Sequence, residues 1–235
     1  MTTPLTPSPQ VRHRLAGAMR FEDAFTGLPV AARLDVRAET LPIVRDMPLL
    51  PWRAVPVADG TYRFLVSRNT AMPVGALTIT VTAPDGEYEA NEACLLTLPL
   101  PIAGAFPTRS DYLVRCTLFP TRRLRLPPGE TGVIGRILNG AGTPVAGLRV
   151  RIAEAPAPIA AAVPHTYTTS DGTFLVRLPG LRAITGSPPV ASPRTTASIV
   201  IELINPPAVP VPLTAPVFPL ALALGRTTTL LITVP

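Results

Sequence analysis

Alternation of apolar and charged residues runs through much of this chain and predicts short β-strands. Leu34 and Val36 alternate with Arg33, Asp35 and Arg37, and the stretch LRVRI at 148–152 repeats the pattern. A period of two places one set of side chains in a core and the other set in solvent. Similar runs read ACLLTLPL, DYLVRCTL, ASIVIELI and TTTLLITV. The pattern therefore predicts an all-β protein.

A short phrase occurs twice in the chain and indicates a repeated unit. DGTYRFLV begins at Asp59 and DGTFLVRL begins at Asp171. In each copy the Asp-Gly pair predicts a tight turn that leads into a strand, and the aromatic residue of that strand enters the core. The similar segments GLPVAARLDV and GTPVAGLRV precede the two copies. The turn residues identified in this way are Gly27, Pro29, Asp59, Gly60, Gly142, Pro144, Asp171 and Gly172.

The repeat predicts two tandem β-sandwiches of the Ig-like or transthyretin-like class with proline-rich connections. The 235 residues are enough for two domains of roughly 100–120 residues each. We place an extended N-terminal arm at residues 1–17, a divergent first domain at 18–125 and a second domain at 126–235. The linker Phe119–Gly132 contains a double proline and no flexible serine run, so we predict limited swivelling between the domains.

The proline content supports a fold of short strands. There are 31 prolines, about 13% of the chain against a usual level near 5%. Proline interrupts helix interiors and central strands but is tolerated at edges and turns. Six prolines also make the uncharged stretch Leu203–Gly225 implausible as a membrane helix. The N-terminus has no apolar segment typical of a secretory signal, so we expect cytoplasmic synthesis, with any release occurring within a particle.

The charge pattern excludes several functions. All 21 basic residues are arginine, so lysine Schiff bases, phosphate-loop lysines and lysine–asparagine cross-links are impossible. The net charge of +6 is divided evenly between the two halves of the chain, which argues against a nucleic-acid surface. TRRLRL at 121–126 alternates as on one face of a strand. Candidate partner contacts are Arg122, Arg123, Arg125 and Trp52, although Trp52 fits a core position equally well.

Residues suited to catalysis or metal binding are few. His13 and His165 are the only histidines, and no H-x-x-E or C-x-x-C motif occurs. Cys94 and Cys116 lie in different strand-like runs and pair if those strands are neighbours, but the cytosolic-looking N-terminus favours two buried thiols. We therefore predict no catalytic residue, cofactor or resident metal.

One acidic segment, DGEYEANE, allows two interpretations. Its carboxylates are oxygen ligands of the kind that Ca²⁺ takes, whereas a hairpin loop in solvent has the same composition. We favour the solvated loop. The four candidate ligands are Asp85, Glu87, Glu89 and Glu92.

The second half of the chain resembles the carboxypeptidase regulatory-like domain, a transthyretin-like β-sandwich. The resemblance covers about 100 residues, and the first half resembles a divergent copy. The residues that carry it are Gly132, Val133, Gly142, Pro144, Val145, Gly147, Val150, Thr169, Asp171, Gly172 and Phe174. It implies a folding framework without reactive groups. Some bacterial two-domain proteins of this kind are encoded near genes for phage-tail-like contractile injection particles.

These observations favour a non-enzymatic structural or interaction protein. The resemblance implies an accessory, baseplate or cap subunit of a particle such as a contractile injection system, with other protein subunits as partners. The alternative is a sandwich module that binds carbohydrate or another surface ligand, but only 5% of the residues are aromatic and can serve as stacking platforms. We expect no nucleic acid, membrane insertion or small-molecule substrate.

Overall fold

The chain folds as an all-β protein, as its pattern predicts. The computed structural model describes residues 13–39, 52–67, 74–90, 92–98, 113–154, 165–182, 194–203, 211–212 and 218–234. Every regular element in these ranges is a β-strand. None of the described residues belongs to a helix long and apolar enough to cross a membrane.

Seventeen strands are formed by the described residues. In chain order they are β1 (His13–Asp23), β2 (Asp35–Ala38), β3 (Trp52–Arg53), β4 (Val55–Pro56), β5 (Thr61–Ser67), β6 (Gly75–Thr82), β7 (Tyr88–Glu89), β8 (Cys94–Leu98), β9 (Leu113–Pro120), β10 (Glu130–Asn139), β11 (Leu148–Glu154), β12 (His165–Tyr167), β13 (Thr173–Arg182), β14 (Arg194–Leu203), β15 (Val211–Pro212), β16 (Phe218–Ala223) and β17 (Thr227–Val234).

The start of β1 differs from the predicted arm. Residues 13–17 pair with β5, with a register shift between Leu15 and Gly17, whereas residues 1–12 lie outside the described residues. Ala16 and Ala18 are buried although their small side chains give little apolar signal in the sequence. This segment forms a strand because it pairs with β5, a partner that the local sequence does not reveal.

The chain divides into two compact units, and each is built from separate segments. Unit one comprises Met1–Phe21, Asp35–Val81 and Ala93–Cys116, and unit two comprises Glu22–Leu34, Thr82–Glu92 and Thr117–Pro235. Both β1 and β9 therefore continue from one unit into the other. Each unit contains segments from both predicted domains. The boundary at residue 125 stays a prediction from the repeat.

Unit one contains two sheets. One has the order β4-β5-β1-β9, and the other has the order β3-β2-β6-β8. Met19, Phe64 and Leu77 are among its fully buried side chains. Phe21 and Tyr62 meet edge to face, with ring centroids 5.3 Å apart. Burial of each large apolar side chain stabilises the fold by about 1.5–3 kcal/mol.

A disulfide joins the two sheets of unit one. Cys94 on β8 and Cys116 on β9 are bonded, with their Cα atoms 5.8 Å apart. The sequence interpretation favoured two free thiols, and in this respect it was wrong. The pairing depends on two strands of different sheets meeting in space, and a spacing of 22 residues along the chain does not reveal that.

Unit two is a β-sandwich. A three-stranded sheet with the order β13-β10-β17 faces a sheet with the order β12-β11-β14-β15, in which β16 also pairs with β14. β17 runs parallel to β10, and β13 runs antiparallel to it. The shared core takes Phe25 from the turn after β1 and the following side chains from the two sheets: Val133, Ile137, Leu148, Val150, Ile152, Phe174, Val176, Leu222, Ile232 and Val234.

A glycine makes room for the aromatic residue of the second DGT phrase. A Cβ added at Gly135 would lie 2.2 Å from the Cζ atom of Phe174, which is the residue opposite it in the ladder. The ring of Phe174 therefore lies over the backbone of β10, and it is fully buried.

The two copies of the repeat share their turn and pairing geometry. β1 pairs with β5 as β10 pairs with β13, both antiparallel. Pro29 forms an isolated bridge with Glu22, and Pro144 forms the corresponding bridge with Leu138. Gly27 and Gly142 both have positive φ, at 65° and 79°, which favours glycine at these turns.

The sequence predicts strand-like alternation at 121–126, within a linker at Phe119–Gly132 between two domains. Instead residues 121–129 form turns between β9 and β10 within unit two. Pro120, Pro127 and Pro128 flank the alternating TRRLRL residues, and proline cannot donate to a sheet ladder. The Thr121 side chain closes the turn by accepting from the Arg123 amide.

Candidate functional site

Three of the buried charged residues in the described part of the chain form one cluster in unit two. Asp23, Glu130 and Arg177 are each less than a tenth exposed, and Tyr88 lies beside them. Asp23 ends β1, Tyr88 begins β7, Glu130 begins β10 and Arg177 lies on β13. We refer to these four residues as the ionic cluster.

Arg177 lies between two carboxylates. Its Nη1 atom donates to Asp23 Oδ2 at 2.8 Å, and its Nη2 atom donates to Glu130 Oε1 at 3.1 Å and Oε2 at 2.9 Å. Such charge-assisted bonds are stronger than neutral ones. Among the described residues, Arg177 Nε has no hydrogen-bond partner. The single guanidinium therefore bridges two buried carboxylates.

Local hydrogen bonds hold Asp23 in position. Its Oδ1 atom accepts from the amides of Phe25 at 2.9 Å and Thr26 at 3.0 Å. Its Oδ2 atom accepts from the Tyr88 hydroxyl at 2.9 Å in addition to Arg177. Each oxygen of this carboxylate accepts two hydrogen bonds from protein groups, so the carboxylate is poorly placed to act as a base on a substrate.

Electrostatics favour the charged form of Arg177 and the protonated form of the Tyr88 phenol. Burial lowers the pKa of Arg177, but the hydrogen bonds and charges of Glu130 and Asp23 outweigh it, so that the net shift is upward. Burial raises the pKa of Tyr88, and the charge and hydrogen bond of Asp23 raise it further. Tyr88 is therefore a stable hydrogen-bond donor to Asp23 at neutral pH.

The ionic cluster connects all three segments of unit two. Asp23 comes from the first segment, Tyr88 from the second, and Glu130 and Arg177 from the third. The sequence analysis did not single out these residues as a site, because the partners are separated by 47 to 154 positions. One usable signal was the arginine within the otherwise apolar strand after the second Asp-Gly turn.

A second cluster lies on the β11–β12 side of unit two. The ring of Phe119 is 4.9 Å from that of Tyr167 and 5.4 Å from that of His165. Glu92 Oε1 accepts from the Tyr167 hydroxyl at 3.0 Å and lies 3.4 Å from His165 Nε2. Arg149 and Arg151 are opposite Tyr167 and His165 in the strand register.

The charges of this second cluster affect both titratable rings. Burial lowers the pKa of His165, and Glu92 offsets this only in part. Burial, followed by the charge of Glu92, raises the pKa of Tyr167 to about 12. His165 is therefore mainly neutral at pH 7, and Tyr167 is protonated. Phe119 is fully buried, so these rings do not form an open platform for a sugar.

The structure separates the acidic residues proposed for Ca²⁺. Glu92 contacts Tyr167. Burial raises the pKa of Glu89, and the negative charge of Asp171 raises it further. Asp85 lies in the exposed turn before β7, and Glu87 accepts the Thr121 amide through its backbone. Within the described ranges no group of three or more acidic, histidine or cysteine side chains is placed to hold a metal ion.

The Asp-Gly turns use their aspartates locally. Asp171 Oδ1 accepts from the hydroxyls of Thr169 and Thr173, and these bonds lower the pKa of Asp171 to about 2. Asp59 Oδ1 accepts from the Thr61 amide at 2.9 Å in the corresponding position of the first copy. Gly60 and Gly172 follow with positive φ, at 78° and 72°.

The proposed contact residues have different environments. Trp52 is half-buried. Its Nε1 atom donates to the Leu65 carbonyl at 3.1 Å, and its ring meets Phe64 edge to face. Arg122 pairs with Asp171 at 3.0 Å. Arg123 lies against Gly86, and Arg125 is exposed. Of these four residues, Arg125 has the side chain most available to a partner.

Comparison with known proteins gives similarity of low degree. No family model matches the chain, and no curated protein matches it. The resemblance to the carboxypeptidase regulatory-like domain therefore remains a hypothesis from the sequence. Among solved structures, the chain is similar to the shaft pilin SpaA from Lactobacillus rhamnosus GG, with 9% identity and a TM-score of 0.29 over 96% of this chain and 98% of the pilin.

Two further structures show similarity of the same order. The Bacillus anthracis TIE protein has 10% identity and a TM-score of 0.28, over 94% of this chain and 34% of that protein. The Actinomyces fimbrial adhesin FimA has 13% identity and a TM-score of 0.25, over 83% of each chain. TM-scores below 0.5 carry no argument about function.

Proposed function

We propose that this chain is a non-enzymatic structural protein that serves as a subunit of a larger protein assembly. The observation that carries the proposal is the use of the ionic cluster. Asp23, Glu130, Arg177 and Tyr88 are buried and bonded to one another, so that they connect three chain segments instead of facing a substrate. The disulfide of unit one has the same effect on its two sheets.

Both cross-links are suited to a subunit that must keep its shape while its surface binds other chains. A buried ion pair adds little net stability compared with apolar packing, but separating its partners costs about 3–5 kcal/mol. Local opening is therefore costly at the positions that join the segments. Such resistance is useful in a scaffold, whereas enzymes commonly rely on mobile elements around their active sites.

The specific assembly that we propose is a phage-tail-like contractile injection particle, in which the chain would be an accessory, baseplate or cap subunit. This identity comes from the sequence resemblance alone. The proposed partners are other protein subunits of the particle. Arg125 is the candidate contact, because it is exposed on the turn segment between β9 and β10 and arginine is common at interfaces.

The experiment is affinity purification of the tagged protein from its native host under gentle lysis, followed by electron microscopy and mass spectrometry. We expect particles that carry this chain at a fixed site and in constant ratio to the other subunits. Arg125→Glu should reduce recovery of the partners, whereas Arg226→Glu, also at an exposed arginine, should not. Recovery of a monomer alone at every lysis condition would contradict the proposal, and particles without tubes or sheaths would contradict only the specific assembly.

A further inference from the structure

The two cysteines occupy positions that favour a permanent bond. Cys94 begins β8 and Cys116 lies within β9, so the bond crosses from one sheet of unit one to the other. Their Cα separation of 5.8 Å lies within the range that a disulfide needs. All the cysteines of the chain are used in this one bond.

The folded chain shields this bond. Cys94 is 3% exposed and Cys116 is 9% exposed. On β8 the buried positions alternate with exposed ones, and Cys94 lies on the same buried face as Leu96 and Leu98. Thiol–disulfide exchange requires an attacking sulfur to reach a sulfur of the bond directly, so the closed unit gives neither an oxidant nor a reductant access.

We propose that an oxidised thiol–disulfide exchange protein installs the Cys94–Cys116 bond before the sheets of unit one close, and that the chain matures in an oxidising compartment. The Cys94 and Cys116 thiols lose two protons and two electrons as their S–S bond forms. The two electrons reduce the disulfide of the exchange protein to a dithiol, which takes up two protons. Closure of the two sheets then buries the product.

The inference differs from the cytoplasmic location expected from the N-terminus. In the cytosol of most organisms, thiols are kept reduced, and stable structural disulfides are rare. A cytosolic chain would therefore carry two buried thiols, and a chain that matures in an oxidising compartment would carry the bond. The redox state of Cys94 and Cys116 in protein from the native host distinguishes the two.

The experiment traps the thiols at the moment of lysis. Cells are quenched in acid, the protein is denatured in guanidinium with a maleimide–polyethylene glycol reagent, and its gel mobility is compared with and without prior reduction by dithiothreitol. We expect no shift without reductant and a shift of two reagent masses with it. A Cys94→Ala/Cys116→Ala variant is the control for non-specific labelling.

A second measurement tests whether the fold shields the disulfide, and it uses the protein without any substitution. Purified protein is incubated with dithiothreitol with and without guanidinium, and the appearance of thiols is followed over time. We expect reduction to be roughly a hundredfold or more slower without denaturant, because exchange must wait for the unit to open. Two free thiols in the acid-quenched protein would overturn the location, and equal reduction rates would overturn the order of oxidation and closure. Neither result depends on the partners in the proposed assembly.

Discussion

The two compact units are cross-linked by different chemistry. Unit one uses a covalent bond between Cys94 and Cys116, and unit two uses the ionic cluster centred on Arg177. A reductant can break the covalent bond once unit one opens, whereas the ionic cluster is held by charge and hydrogen bonds alone. The two units therefore differ in the conditions that should weaken their cross-links.

The largest expected effect comes from removing the cation of unit two. Arg177→Met leaves Asp23 and Glu130 buried without a counter-charge, and we expect the free energy of unfolding to fall by about 3–5 kcal/mol. Urea unfolding at pH 7 measures this. Arg136→Met, an exposed position on β10, should change stability by about 0.5 kcal/mol or less.

A triple variant sharpens that test. Asp23→Asn, Glu130→Gln and Arg177→Met together remove every charge of the ionic cluster, and we expect them to restore part of the stability lost in the single variant. If the single Arg177 variant loses less than about 1 kcal/mol, the ionic cluster is not what connects the segments of unit two.

Opening the disulfide should have the next largest effect, and it should be greatest in unit one. Cys94→Ala/Cys116→Ala removes a link that spans 22 residues, for which the loss of chain entropy in the unfolded state is worth about 3 kcal/mol. Amide hydrogen exchange should accelerate more in β8 and in the unit-one part of β9 than in β10 and β13. Equal acceleration in the two regions would refute the assignment of this bond to unit one alone.

A smaller effect is expected at the second Asp-Gly turn. The pKa of Asp171 lies near 2, below its ordinary value of 3.8, so the folded state binds this proton more weakly than the unfolded chain does. Its contribution to stability is present above about pH 4 and is lost as the pH falls through 2. Asp171→Asn should flatten stability over that range by well under 1 kcal/mol at this half-exposed site.

The smallest effect concerns His165. Its pKa is lowered from 6.5, chiefly by burial, so its neutral form contributes stability above that pH and the contribution is lost as the pH falls through the lower folded value. Proton NMR should show a His165 titration midpoint below 6.5, with His13→Gln used for assignment. Glu92→Gln removes a contact that raises this pKa, and the midpoint should fall further. An upward shift in that variant would mean that Glu92 does not face the ring.

Much of the fold could be predicted because its signals are local. The alternation of Leu148, Val150 and Ile152 with arginine placed β11 correctly, and the turns at Gly27 and Gly142 have the backbone geometry that glycine allows. The parts that could not be predicted depend on distant partners. The pairing of Cys94 with Cys116 and that of Asp23 with Arg177 are properties of the assembled sheets. The alternation of TRRLRL predicted a strand that does not form, because the prolines that flank it cannot donate to a sheet ladder.

The wide separation of Asp23 and Arg177 has a consequence for the order of events during synthesis. The two residues lie 154 positions apart. At translation rates of about 5–20 residues per second, Asp23 is therefore synthesised roughly 8–30 s before Arg177. β17 follows later still and adds Ile232 and Val234 to the same core. Unit two therefore cannot complete its core until β17 has been synthesised, and until then its first two segments lack partners that they have in the folded unit.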